Sequence, residues 1–221
     1  ELETPPWLDP DRQGAPMLML FSVVDDRSGV AYQEYRCVYG EDVETGLRFL
    51  FNAMSAKEEA GNPLQGIPSA IQLDNGPVGK SAVFRRVMEC LGVEVILHMP
   101  RDSDGRRTTA RSKGKVERPF RTVKEAHETL YHFHKPATEA EANRWLVNYV
   151  TKYNHRDHRT EDHSRQDDWL THLPADGLRA MCSWERFCTF AREPERRTVA
   201  IDCRLTVAGV TYEVDAELAG A

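Results

Sequence analysis

Hydrophobic and polar positions follow two different periods over the first hundred residues. Met17 to Val24 (MLMLFSVV) is a short apolar run closed by Asp25-Asp26-Arg27-Ser28-Gly29, which predicts a buried strand and then a turn. Val30 to Val38 predicts the partner strand. From Glu41 to Lys57 the apolar residues Val43, Leu47, Leu50, Phe51 and Met54 fall at helical spacing. The tract from Gly61 to Pro68 breaks that helix. Ser69 to Leu73 predicts a short strand ending at Asp74-Asn75-Gly76. Lys80 to Leu91 predicts a helix with Val83, Phe84, Val87, Met88 and Leu91 on its apolar side and Gly92 as its cap. Val93 to Leu97 predicts another buried strand.

The second half is more polar. Residues 100–114 form a basic, glycine-containing loop, and helices are predicted over Lys115–Tyr131 and about Thr138–Tyr153. The His- and Asp-rich residues 155–168 read as irregular, and Trp169–Arg192 as mixed and partly helical. Thr198 to Val214 alternates around Gly209, which predicts a small hairpin. Hairpin strands followed by β-α units indicate an α/β layered domain with a mixed sheet.

Composition narrows the class. The chain has 221 residues, 40% of them hydrophobic, and a net charge of -6, which excludes collagen-like and disordered classes. The charge is uneven. Residues 101–159 hold 14 Lys and Arg against 8 Asp and Glu, so a basic middle sits inside an acidic chain. Five cysteines without a CxxC pair suggest reduced thiols, not a disulfide framework or a zinc ribbon. No apolar run approaches the roughly 18 residues of a membrane span. The opening ELETPPWLDP has neither the basic nor the apolar segment of a signal peptide. A cytoplasmic protein with no membrane partner is the expectation.

Candidate chemistry lies at two carboxylates. Asp74 follows a predicted buried strand, at the sheet edge where ligands of open α/β sheets bind; Asp-Asn-Gly also reads as a plain turn. Glu117 opens the helix Lys115–Tyr131, and Arg121, Lys124 and Glu128 follow it at steps of four, three and four on one face. Such a face suits a metal ion with a phosphate beside it, and equally a salt-bridged solvated helix. The segment leading in carries Arg111, Lys113 and Lys115, dense enough for phosphate contacts. His155, His158 and His163, with His132 and His134 nearby, fit no zinc spacing and read as a polar surface tract.

The stretches FSVVDDRSGVAY (21–32), IQLDNG (71–76), GKVERPFRTVK (114–124) and KYNHRDH (152–158) come in an order that resembles the retroviral integrase and DDE transposase superfamily. Within it the chain looks most like bacterial transposases related to phage Mu transposase. The resemblance covers residues 17–170. It implies an RNase H-like mixed sheet flanked by helices, with Asp74 as the second aspartate and Glu117 as the glutamate of a metal-binding triad. It further implies two Mg2+ or Mn2+ ions, DNA contacts from Arg111, Lys113, Lys115, Arg121 and Lys124, and a homo-oligomer working on transposon ends and target DNA.

The first aspartate is expected just upstream of Glu1, with Asp9 and Asp11 as local substitutes; the chain without it is expected to be inactive or weak. Asp25 and Asp26 match an acidic position that is not the first ligand. The implied organisation is a catalytic core at 1–170, a partly helical linker at 171–197, and from 198 to 221 the start of a small β-barrel. The alternative reading is a non-catalytic DNA-binding or assembly module with a degenerate or truncated triad.

Overall fold

The computed structural model describes residues 16–57, 61–74, 76–97, 119, 121–123, 125, 129, 131, 133–157, 161–192, 199, 201–207 and 209–218. The chain divides into two units, Glu1–Ala191 and Arg192–Ala221. In the first, β1 (Met17–Val24) pairs antiparallel with β2 (Ala31–Val38), Leu20 opposite Tyr35 and Val24 opposite Ala31. The turn between them is closed by Asp25, whose Oδ2 accepts from the Ser28 N–H and hydroxyl, both at 2.7 Å. Then come α1 (Val43–Met54), β3 (Ala70–Leu73), the short α2 (Pro77–Lys80), α3 (Ala82–Cys90) and β4 (Glu94–Leu97). β3 and β4 pair parallel, Ile71 opposite Val95, with α2 and α3 as the crossover. The helices α4 (Glu139–His155), α5 (Arg165–Thr171) and α6 (Trp184–Phe190) complete this unit.

Period-two alternation gives the β1–β2 ribbon two apolar faces. Leu18, Leu20 and Val24, with Ala31 and Tyr35, pack against Val123, Tyr131 and the α4 residues Ala142, Leu146 and Val150. Phe21, Val23 and Tyr32 turn to the other side. There they join α1, α3, Ile71, Val93 and the α6 residue Phe187, which is 2% exposed. The ribbon is therefore the middle layer between α4 on one side and α1 on the other. β3 and β4 pack on the same core as α1 and α3. Among the described residues the antiparallel and parallel pairs are separate two-stranded sheets, where the sequence pattern predicts one mixed sheet.

Local signals account for most boundaries. Asp42 caps α1, accepting from the Thr45 N–H at 2.8 Å, and Ser81 caps α3. Gly92, at φ 64, ends α3: its N–H donates to the Glu89 carbonyl and that of Val93 to Met88. After α1, the Lys57 ammonium donates to the Leu64 carbonyl at 2.6 Å and to Ser55 at 2.9 Å, over the Tyr32 ring. This pins the loop that leads toward β3. Arg86 closes α6 by donating to Phe190 and Ala191 carbonyls. In the second unit β5 (Arg204–Val207) and β6 (Val210–Glu213) form the expected hairpin about Gly209, at φ 80.

Candidate active site

A β-α-β unit delivers Asp74. Its strand β3 runs parallel to β4, so the chain leaves β3 at its carboxyl end and turns at once into α2, with Pro77 in the first helical turn. Asp74 is exposed there. Its Oδ1 accepts from the Gly76 N–H at 3.0 Å; among the described residues Oδ2 accepts no bond.

The glycines of this corner permit close approach. Gly76 has φ -67, so no left-handed backbone requires it. A Cβ there would lie 2.8 Å from Asp74 Oδ1 and 3.1 Å from Glu41 Oε1. A Cβ on Gly79 would lie 2.8 Å from Leu97 Cδ2 and 3.1 Å from the Asp74 carbonyl oxygen. A Cβ on Gly46 in α1 would meet the Val78 methyls at 3.4 Å. The missing side chains of Gly46 and Gly79 thus let α2 press against α1, β4 and the backbone of Asp74, while that of Gly76 leaves room for the Asp74 and Glu41 carboxylates.

Glu41 was not singled out by the sequence pattern, which predicts it as the start of α1. The helix begins at Val43 because Asp42 takes the cap, and this leaves Glu41 in the connection beside the Asp74 corner. The capping signature of Asp42 was the available signal. Exposed carboxylate oxygens are the donor type that suits a hard divalent cation, and Asp74 supplies one such group. Among the described residues no group of three or more His, Cys, Asp or Glu is gathered to hold a metal.

The other predicted site residues fall as follows. Glu117, Arg111, Lys113, Lys115 and Lys124 lie outside the described residues, as do Asp9 and Asp11. Arg121 is described: its side chain is 78% exposed and its Nε donates to Glu125 Oε1 at 2.6 Å. That bond and the Glu125 charge push its pKa further up. Among the described residues no bond joins Arg121 to Asp74. Asp25 is engaged in its turn, as above. In the KYNHRDH stretch, Asn154 is fully buried and bonds both main-chain groups of Ala31, 123 positions away. The Tyr153 ring carries the Arg165 guanidinium at 4.1 Å.

No protein-family model matches this chain, and no curated protein matches it. Solved structures do. One is the intasome of simian T-cell lymphotropic virus in complex with the PP2A regulatory subunit B56 gamma. It aligns with a TM-score of 0.53 at 18% identity, over 90% of this chain and 60% of that one. The chain therefore spans 60% of the length of that relative. Another is the crystal structure of the BIV integrase catalytic core domain, with a TM-score of 0.51 at 14% identity over 70% of this chain and 86% of that one. No described helix is long and apolar enough to cross a membrane. At these identities the likeness is one of backbone architecture, and the fold of this chain is that of the retroviral integrase catalytic core.

Proposed function

We propose that this chain is the catalytic core of a DNA transposase or integrase, of the bacterial Mu-like branch and built on an RNase H-like sheet. The observation that carries the reading is the placement of Asp74. In an integrase-core fold, an exposed carboxylate stands at the carboxyl end of a parallel strand, on a backbone held close by Gly76 and Gly79. Asp74 and Glu117, with a first aspartate, would hold two Mg2+ or Mn2+ ions. Such ions supply an activated oxygen nucleophile and stabilise the leaving oxygen.

The chain's own residues do the rest. Arg111, Lys113, Lys115, Arg121 and Lys124 grip the phosphate backbone, a contact whose strength falls with salt. They align the scissile phosphodiester with the carboxylates. Attack by water on the element-end phosphodiester breaks its P–O3′ bond and frees a 3′ hydroxyl. That hydroxyl then attacks a target phosphorus in line and displaces the target strand's 3′ oxygen, which leaves as a 3′ hydroxyl. The partners are transposon ends and target DNA, the working state is a homo-oligomer on paired ends, and the compartment is the bacterial nucleoid. Residues 198–221 form the start of a small β-barrel.

The test is nicking of supercoiled plasmid and strand transfer with Mg2+ or Mn2+ in parent, Asp74→Asn and Glu117→Gln chains. Both variants are expected to lose turnover while keeping fold and DNA binding. Retained turnover in either overturns its assignment. DNA binding without turnover in the parent fits both the assembly-module reading and a core that lacks its first aspartate; turnover gained when the chain is extended upstream of Glu1 separates them in favour of the catalytic reading.

A further inference from the structure

The outer edge of β2 is covered by side chains of a helix. In an antiparallel pair, alternate residues turn their N–H and C=O groups away from the partner strand. On β2, Ala31, Gln33, Tyr35 and Cys37 share that parity, and Ala31, Tyr35 and Cys37 bond to α4. The Tyr35 N–H donates to Asn143 Oδ1 at 2.7 Å, and Asn143 Nδ2 returns a bond to the Tyr35 carbonyl at 2.9 Å. The Ala31 N–H donates to Asn154 Oδ1 at 3.0 Å, and Asn154 Nδ2 donates back to the Ala31 carbonyl at 2.9 Å. The Cys37 N–H donates to Glu139 Oε2 at 2.6 Å.

A carboxamide carries the same donor and acceptor as a peptide group. Each asparagine therefore makes the two-bond ring that a residue of a neighbouring strand would make. The spacings agree. Asn143 and Asn154 are eleven helical residues apart, about 16 Å along α4, while Tyr35 and Ala31 are about 13 Å apart along β2. The helix runs antiparallel to the strand, and Leu146 and Val150 between the two asparagines seat it on Ala31 and Tyr35.

We propose that α4 is a strand surrogate: the carboxamides of Asn143 and Asn154 occupy the pairing positions of β2 and keep copies of this chain from joining edge to edge. An open edge strand is a template for another chain, and here both outward main-chain groups of Ala31 and Tyr35 and the N–H of Cys37 are already taken. Leucine at either position keeps the approximate side-chain size and removes both bonds.

The test compares the parent with Asn143→Leu and the Asn143→Leu/Asn154→Leu pair, using amide hydrogen exchange and light scattering across a concentration series. In the parent, the Ala31 and Tyr35 amides are expected to exchange as slowly as the β1–β2 ladder amides. In Asn143→Leu, which leaves the buried Asn154 intact, the Tyr35 amide exchanges at least roughly tenfold faster, and concentration-dependent association beyond the parent's appears. The double variant associates more strongly. Fast exchange at Ala31 and Tyr35 in the parent overturns the proposal. So does an Asn143→Leu chain, folded by circular dichroism, that keeps the parent's oligomeric state at every concentration. The parent measurement and the single variant decide the question even if the double variant fails to fold.

Discussion

Two polar regions of this molecule follow opposite rules. Along the β2–α4 seam, polar groups are buried or half-buried and satisfied: Asn154 is fully buried, and the half-buried Asn143 and Glu139 point at main-chain groups of the strand. At the β3–α2 corner, Asp74 is exposed, bonds once to a local N–H, and has an oxygen that no described residue uses. Buried polar groups must find partners or cost stability. A carboxylate left to solvent at the end of a parallel strand is available for a ligand. The seam therefore holds the fold, and the corner is where the proposed function would place its chemistry.

Four substitutions separate the two rules, from the largest effect to the smallest. Asp74→Asn is expected to reduce metal-dependent DNA cleavage by at least about 100-fold, with a thermal midpoint close to the parent's. A large loss of stability in this variant would move Asp74 to the structural side of the comparison. Asn154→Leu should act in the reverse sense. It strips two bonds from Ala31 and is expected to destabilise by about 2–3 kcal/mol in denaturant titration, although Asn62 still donates to the Ala31 carbonyl at 3.0 Å. Stability unchanged within error would show that the seam does not hold the fold.

The glycines test how the corner is built. Gly79→Ala would place a methyl 2.8 Å from Leu97 and 3.1 Å from the Asp74 carbonyl, an overpacking expected to cost about 1–3 kcal/mol. Gly76→Ala meets first the side-chain ends of Asp74 and Glu41. Its stability cost should be smaller than that of Gly79→Ala, and its effect on metal affinity the larger of its two readouts. Equal stability losses would mean that the corner has no slack around the carboxylate.

The weakest effect is a pH dependence at the pin behind α1. Burial lowers the Lys57 pKa to about 8 from 10.5, against the opposing pull of Glu34. The unfolded chain then holds the proton when the folded chain has released it. The Lys57 contribution to stability accordingly grows as pH rises from about 8 to 10.5, and is lost as pH falls back through 8. The parent-minus-Lys57→Met difference in denaturation midpoint should shift in the parent's favour across that window. A flat difference would contradict the burial of the ammonium.

Features written in neighbouring residues were legible in the sequence. The α3 stripe of Phe84, Val87, Met88 and Leu91, with Gly92 after it, appears as expected because periodicity and capping act within a few residues. The hairpin about Gly209 and the strand before Asp74 appear for the same reason. What depends on the third dimension was not legible. Phe49 is buried in α1, outside the predicted stripe, because it packs on Phe21 and Tyr32 of the ribbon, with ring centres 5.6 and 5.9 Å away. The four-residue α2 is too short to show a period. Glu41 looked like helix, and only the cap at Asp42 places it beside Asp74. Asn154 was visible as part of a motif, but its task spans 123 positions. Of the seven residues named for the site, Asp74 and Arg121 are described, and Arg121 meets Glu125 there.

The most direct test of the division between corner and seam is a calorimetric titration of Mn2+ into the parent, Asp74→Asn and Asn143→Leu chains, each confirmed to be folded. Binding in the parent and in Asn143→Leu with matching affinity, and a loss of at least about tenfold in Asp74→Asn, is the predicted result. Equal Mn2+ affinity in the parent and Asp74→Asn would contradict it and remove Asp74 from the proposed site.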